Sequence, residues 1–244
     1  MRSIRLYLAG DYPNIGQSLA LPDEARHYIA TVLRARDGFN VTLFNGLGVT
    51  AQATLQLGKK EASVRIDVLT TDTSMESPLQ LTLVQGISRG ERMDTSIQKA
   101  TELGVTAIQP LFTQYCEVKL EDGDKTAKRM AHWQQVIVSA CEQSGRTIVP
   151  KLYHPLSFID WLNTHPQGLV LDPYEGQRLR ELSSIQFEKA QCLLVGPEGG
   201  LSDREVEQAL ATGMRGVKLG ARILRTETAG PAAIAALQSL FGDA

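Results

Sequence analysis

The sequence predicts an α/β protein in two parts: a small antiparallel β-sheet or barrel over residues 1–72, then a mainly parallel α/β layer over 73–244. Three observations carry this expectation. Apolar residues recur with period two through the first part and are broken by glycine-rich turns, as half-buried antiparallel strands require. Beyond the polar, aperiodic stretch "TTDTSMESP" (70–78), short apolar runs alternate with helical periodicities, the pattern of βα units. The chain has 244 residues, 43% of them hydrophobic, which is enough to bury the core that both parts need.

The elements follow in order. "SIRLYL" is a short apolar run, and residues 22–36 place Ala25, Ile29, Val32 and Leu33 at helical spacing. "FNVTLFNG" alternates and turns at Asn45-Gly46; "VTAQATLQL" sets Val49, Ala51, Ala53, Leu55 and Leu57 on one face. "ASVRIDVL" is expected to do the same with Val64, Ile66 and Val68. In the second part "LQLTLVQG" reads as a buried strand, and Met93, Ile97, Ala100 and Leu103 then recur at helical spacing until Gly104. "VTAIQPLF" is strand-like, and Met130, Trp133, Ile137, Ala140 and Cys141 line one side of a helix over 126–143. "TIVPKLY", "GLVLD", "QCLLVG" and "GVKLG" supply four further short strands.

Several function classes fall away. No window holds the roughly 20 apolar residues that span a bilayer, and the N-terminus lacks a secretory apolar region, so no membrane partner and a cytoplasmic location are expected. Cys116, Cys141 and Cys192 have no paired spacing and read as reduced thiols; the four histidines show no metal-ligand spacing, so no metal is expected. The formal net charge of -2 neither requires nor forbids a nucleic-acid partner, because a local patch suffices. "RHYIATVLRAR" gathers Arg26, His27, Arg34 and Arg36, and a solvated helix face explains that stretch as well as a phosphate-gripping one does.

"LLVGPEGGLSDREVE" (193–207) ends an apolar strand in three glycines, a proline and a carboxylate before a helix begins. Phosphate is disfavoured, since Pro197 lacks an N–H, Glu198 repels an anion, and no lysine follows. A neutral or cationic ligand such as S-adenosylmethionine fits better, because Gly196, Gly199 and Gly200 allow close backbone approach. Ser202 and Glu205 form a capping box for the next helix. Taken alone, the stretch is better read as a plain strand-to-helix turn. However, "LGARILRTETAGPAAIAAL" (219–237) follows the last strand with a glycine, an arginine-flanked apolar patch and two threonines, Thr226 or Thr228 capping a final helix.

"LLVGPEGGLSDREVE" with "LGARILRTETA" resembles the carboxyl-terminal signature of the bacterial 16S rRNA uridine-N3 methyltransferases, of the SPOUT class. "QGISRGERMDTSIQKATELGVTAIQPLF", "ACEQSGRTIVPKLY" and "HYIATVLRARDGFNVTLFNG" are similar to that family's other blocks, in the same order along nearly the whole chain. The resemblance implies an N-terminal PUA-like β-barrel domain and a C-terminal SPOUT α/β domain with a trefoil knot. It implies S-adenosylmethionine as cofactor, a homodimer, and as substrate one uridine of 16S rRNA presented by the assembled small ribosomal subunit.

Matched block by block, the resemblance assigns cofactor contacts to Leu171, Gly196, Gly200, Leu219, Gly220, Ile223, Leu224 and Thr226, mostly through backbone groups. Simple core packing is the alternative for Leu219, Ile223 and Leu224. Methyl transfer to uridine N3 needs positioning and loss of the N3 proton, for which Glu142 and Glu198 are the acidic candidates. Glu142 pairing with Arg146 at i,i+4 is the structural alternative. Arg146 and Arg225, with Arg89 and Arg92, are read as clamps for RNA backbone or uracil oxygens. Arg26, Arg34 and Arg36, with Lys59 and Lys60, are expected to grip RNA from the first domain. Pro231 departs from the family's uninterrupted last helix: it falls in the first turn if Thr228 is the cap, and kinks the helix if the helix starts at Thr226. Rival readings are a SPOUT enzyme for another RNA, such as a tRNA ribose 2′-hydroxyl, and a non-catalytic RNA-binding assembly factor. A hydrolase lacks both G-x-S-x-G and a P-loop.

Overall fold

A computed structural model describes residues 4–58, 61–117, 123–182 and 191–244. The chain divides into two compact units, Met1–Glu76 with Cys141–Val149, and Ser77–Ala140 with Pro150–Ala244.

The first unit contains β1 (Ile4–Tyr7), β2 (Ser18–Ala20), α1 (Asp23–His27), β3 (Asn40–Phe44), β4 (Val49–Leu57) and β5 (Ala62–Thr71). They pair in the order β1-β3-β4-β5-β2, antiparallel except for β1 with β3. The alternation of β4 appears as Ala51, Ala53 and Leu55 at 0–1% exposure, with Gln52 and Gln56 outside. The expectation for β5 fails at one residue. Gln52 pairs with Val68 but Ala53 pairs with Ile66, so Asp67 is an extra residue in β5. This bulge reverses the faces beyond it. Val68 is consequently 47% exposed, and Leu69 packs on the core instead.

The helix expected over 22–36 is shorter and changes type. After α1, residues Tyr28–Val32 form a π turn, and Arg34 at φ 51° ends it. A wider turn takes residues three and four apart off a common face. Ile29 is fully buried, whereas Val32 and Leu33 face outward.

Two features complete this unit. Asn45 Oδ1 accepts from Leu47 N and Val49 N, holding the Asn45-Gly46 turn at φ 83° for Gly46. Glu76 reaches Cys141–Val149: its Oε2 accepts from Arg146 Nε (2.9 Å) and Nη2 (2.6 Å), and its Oε1 from Thr147 N (2.9 Å) and Ile148 N (3.0 Å). The boundary expected at 72/73 therefore lies four residues later, at Glu76/Ser77, and the unit takes in a distant segment.

The second unit contains β6 (Leu81–Gly86), α2 (Glu91–Glu102), β7 (Ala107–Phe112), α3 (Gly123–Ser144, whose last turn belongs to the first unit), β8 (Lys151–Leu152), β9 (Leu156–Ser157) and α4 (Phe158–Leu162). It continues with β10 (Gly168–Leu171), β11 (Gln177–Arg178), β12 (Gln191–Val195), α5 (Asp203–Ala211), β13 (Arg215–Lys218) and α6 (Thr226–Phe241). The sheet order is β11-β13-β10-β12-β6-β7-β8, with β9 also on β7, and every described pairing is parallel. Val84, Leu111, Val170 and Leu194 meet Phe158 and Trp161 of α4 and Ala209 of α5. Leu83 lies against α6 at Gly230, and Met93 and Ile97 of α2 are buried. Coverage of both faces explains why these strands read as continuous apolar runs. Gln238 of α6 ties the unit's ends, accepting from Ser77 Oγ (2.7 Å) and donating to Leu103 O (2.8 Å).

Pro231 is the sixth residue of α6, inside the helix, because the helix starts at Thr226 rather than Thr228. The proline leaves the Glu227 carbonyl without an intrahelical donor. Among the described residues no helix is long and apolar enough to cross a membrane.

Arg146 is 3% exposed, so removing the Glu76 carboxylate takes a charge-assisted pair of hydrogen bonds from a buried cation. Glu76→Ala is expected to lower unfolding free energy by about 3 kcal/mol, and Glu76→Gln, which keeps one acceptor oxygen for Thr147 and Ile148, by less. Guanidinium denaturation of the full chain checks this; an unchanged midpoint in Glu76→Ala refutes the role.

Candidate functional site

A cavity of about 970 Å³ opens where the loops after β10, β12 and β13 meet the start of α6. These are carboxyl ends of parallel strands, where open α/β sheets bind ligands. Leu171 lines it from the end of β10, and Gly196 and Gly200 from the loop after β12. Leu219, Gly220, Ile223, Leu224 and Thr226 line it from the segment joining β13 to α6. The structure thus brings all eight expected cofactor residues to one cavity. Ile223 is 70% exposed at its rim, too open to be core packing.

The glycine loop is shaped by two different requirements. A Cβ on Gly196 would stand 2.6 Å from Gly200 C and 2.7 Å from Leu201 N, so the loop folds back where a side chain cannot fit. Gly200 has open space around its Cα but a φ of 75°, which L-residues rarely adopt. Gly200 N closes the turn on Pro197 O at 2.9 Å. Ser202 and Glu205 form the expected capping box of α5, and Glu205 Oε1 also accepts from Gln114 N at 2.8 Å.

Thr226 does not cap α6. Its hydroxyl donates to Gly196 O (2.7 Å) and accepts from Gln85 Nε2 (2.9 Å). The N-cap position is Arg225, without a side-chain cap bond. A threonine before an apolar run suggests a cap, but here tertiary contact takes the hydroxyl instead.

Electrostatics follow from the lining. Six carboxylates (Asp172, Glu175, Glu198, Asp203, Glu207, Glu227) face four cations (Arg92, Lys218, Arg222, Arg225), a balance that suits a cationic ligand and not a polyphosphate. Glu198 Oε1 accepts from Arg89 N (2.9 Å) and Arg92 Nη1 (3.0 Å). Partial burial pushes its carboxyl up, but the Arg89 N–H, its own N–H and the Arg92 guanidinium outweigh that and hold it below the ordinary value. The Arg89 side chain ion-pairs with Glu117.

The four expected catalytic side chains divide between the two units. Glu198 and Arg225 line the cavity, whereas Glu142 and Arg146 belong to the first unit. Glu142 Oε1 accepts from Tyr7 N at 3.0 Å, and Arg146 grips Glu76. Burial raises the Glu142 carboxyl above its ordinary value, opposed in part by Tyr7 N–H and Arg5. Burial also pushes the Cys141 thiol up to about 12 and Cys192 up to about 11, far from a reactive thiolate. Of the expected RNA-binding residues in the first unit, Arg34 and Arg36 are exposed, and Arg26 is half-buried beside Asp23 at 3.7 Å. Lys59 and Lys60 lie outside the described residues.

Two residues were not anticipated. Asp172 is 5% exposed, lines the cavity, and its Oδ1 accepts from Tyr174 N (3.0 Å) and Glu175 N (3.2 Å). The signal was present in "LVLDPY", an aspartate before proline at a strand end, a strong turn former. Gln85, fully buried at the end of β6, had no signal beyond being the polar residue of an apolar run.

Residues 75–238 match a family described as "RNA methyltransferase domain", and residues 21–67 one described as "RNA methyltransferase PUA domain". The chain is 37% identical over 238 residues to the ribosomal RNA small subunit methyltransferase E of Buchnera aphidicola subsp. Schizaphis graminum, covering 94% of this chain and 93% of that protein. It is 31% identical to the protein of the same name from Bacillus subtilis, over 90% and 89% of the two chains. Its fold is similar to the crystal structure of the Neisseria gonorrhoeae ribosomal RNA small subunit methyltransferase E bound to S-adenosyl methionine (TM-score 0.90, 41% identity, 99% of each chain). A putative methyltransferase from Legionella pneumophila, in complex with the same cofactor, matches over 100% of both chains with TM-score 0.93 and 38% identity. With matching domains in the same order and identity sustained over nearly the full length, the chain belongs to the ribosomal RNA small subunit methyltransferase E family.

Proposed function

We propose that this chain transfers the methyl group of S-adenosylmethionine to N3 of one uridine of 16S rRNA. Membership of the family makes it an S-adenosylmethionine-dependent rRNA methyltransferase. The observation that carries the cofactor here is the cavity itself. It has the size of a small-molecule site, glycine backbone on one wall, and carboxylates in excess over cations. The chemistry supplied by S-adenosylmethionine is a methyl group on a sulfonium, which leaves as a neutral thioether. Glu198 does not oppose such a ligand, and Pro197 removes one of the N–H groups a phosphate would need.

The chain's own residues hold and orient. In this reading Leu171, Leu219, Ile223 and Leu224 enclose the adenine, while Gly196, Gly200, Gly220 and Thr226 present backbone. Arg92 and Arg225 bring positive charge to the cavity, which favours the uracil anion formed as N3 loses its proton. Glu198 orients Arg92 and the backbone of Arg89, and its lowered proton affinity makes it a poor base. Glu142 and Arg146 are assigned to the integrity of the first unit.

The remaining parts of the reading rest on the family resemblance. They are a SPOUT domain whose segments after β12 and β13 form a trefoil knot, a PUA-like barrel gripping RNA through Arg26, Arg34 and Arg36, and a homodimer acting on the assembled small subunit in the cytoplasm. Arg89 joins the RNA contacts by exchanging Glu117 for phosphate.

The function is tested by incubating the purified protein with small subunits from a deletion strain and mapping methylated nucleotides by mass spectrometry. A new N3-methyluridine in 16S rRNA is expected; methylation confined to tRNA ribose would reject the substrate. Gly196→Ala is expected to abolish measurable cofactor binding, because its Cβ has no room. Gly200→Ala should cost only about 1 kcal/mol through its φ, with Gly200→Asn closer to wild type. Titration calorimetry ranks the three; equal losses at both positions contradict the geometry.

Glu142 gives a pH test. Its folded pKa is raised above its unfolded value, so its ionisation penalty is absent below the unfolded pKa and costs stability as pH rises toward the folded pKa. Glu142→Gln keeps an acceptor for Tyr7 N–H without that charge. The variant should melt at or above wild type at neutral pH, converge with it on acidification, and keep its methylation rate. A loss of rate of a hundredfold or more, on the order of a general base's contribution, would restore Glu142 as the base.

A further inference from the structure

We infer that Gln85 is a positioning residue for methyl transfer, acting on the cofactor through Gly196 and Thr226 without lining the cavity. This rests on reading the cavity as the S-adenosylmethionine site. Gln85 is the penultimate residue of β6 and is fully buried. Its amide nitrogen lies 3.0 Å from Gly86 O, 3.2 Å from Gly196 O and 2.9 Å from Thr226 Oγ1. One NH2 group thus faces three acceptors, each from a different segment: the end of β6, the glycine loop and the first residue of α6. Thr226 Oγ1 donates in turn to Gly196 O, so that carbonyl receives two hydrogen bonds and its orientation is set.

The orientation of the amide is settled by its neighbours. Two of them are carbonyl oxygens, which only donate-side nitrogen can face, so the group cannot be flipped. Among the described residues its Oε1 is buried with no hydrogen-bond partner, on the side of Gly230, where a Cβ would approach it to 3.6 Å. An unpartnered buried oxygen costs stability. A methionine would fill the same length of space without that cost, so what the glutamine contributes is its donor pair. The residues it holds, Gly196 and Thr226, both line the cavity, and Gly196 lies where even a Cβ would meet Gly200.

The test uses the full-length protein and S-adenosylmethionine binding by calorimetry, alongside steady-state methylation of small subunits. Gln85→Met is expected to remain folded and to weaken cofactor affinity by about tenfold or more, the equivalent of stranding one or two buried carbonyls. KM for the small subunit should stay within about twofold, since no RNA contact is altered. Thr226→Val should weaken affinity similarly, Thr226→Ser should restore most of that loss, and the Gln85→Met/Thr226→Val pair should lose less than the sum of the single losses, as members of one network do. A folded Gln85→Met with wild-type affinity overturns the inference, as does strict additivity of the pair. A role in stability alone would lower the melting temperature and leave the affinity of the folded fraction unchanged, which also overturns it. Failure of wild type to bind S-adenosylmethionine would instead reject the cofactor reading.

Discussion

The glycine loop after β12 can reach its neighbours only because Gly196 carries no side chain while its carbonyl accepts two hydrogen bonds. Both conditions are needed. A Cβ would collide with the backbone of Gly200 and Leu201, and a buried carbonyl without donors would be costly enough to open the loop. The loop sits where β12 and β6 are neighbours in the sheet, the place at which strand order reverses between the β7-β8 side and the β10-β13 side. Gly86 extends the same logic, since a Cβ there would meet Pro197 Cδ at 2.5 Å. Close backbone approach, and not a set of polar side chains, therefore shapes the wall of the cavity.

That wall explains the charge arrangement around it. In the proposed reading, backbone and aliphatic groups recognise the nucleoside by shape, which leaves ionisable side chains to select by sign. The excess of carboxylates disfavours anions, yet the substrate is a polyanion. The conflict is resolved locally: Glu198 is neutralised by Arg92 and the Arg89 N–H, while Arg225 remains exposed at the start of α6. Positive charge is thus available at the cavity edge without an anion-binding cradle inside it.

How much of this could be read from the sequence depended on whether the signal was local. Period-two patterning located β3, β4 and most of β5, and the glycine and capping-box motifs placed the loop and α5. Val68 was misplaced because a single inserted residue, Asp67, reverses the alternation, and a bulge leaves no mark in the pattern of apolar residues. Thr226 looked like a cap because Thr before an apolar helix usually is one; its hydroxyl is taken instead by a carbonyl thirty residues earlier. Gln85 was invisible as a functional residue, since its partners come from three separate segments. The two short strands β9 and β11 are too brief for any periodicity to register.

The first unit shows the same dependence on distant sequence at larger scale. Its sheet is encoded within residues 4–71, but the chain after β5 ends in Glu76, whose carboxylate accepts four hydrogen bonds from residues 146–148. Arg5 adds a second link, donating to the carbonyls of Gly145 (2.9 Å) and Arg146 (3.1 Å) while its guanidinium stacks over Phe44 at 5.2 Å. The β3–β4 turn joins in, with Val149 N donating to Gly46 O at 3.0 Å and Gly48 N to Thr147 O at 3.2 Å. The segment 141–149 is thus held by β1, by the β3–β4 turn and by the chain after β5. A boundary drawn by composition at 72/73 omits Glu76 and this whole returning segment, and leaves Arg5, Tyr7 and the turn at Asn45 without their partners. The unit is compact in space and discontinuous in sequence, so its folding requires closure of a loop of about seventy residues between Glu76 and Arg146, a non-local step of the kind that slows folding and that no local pattern announces.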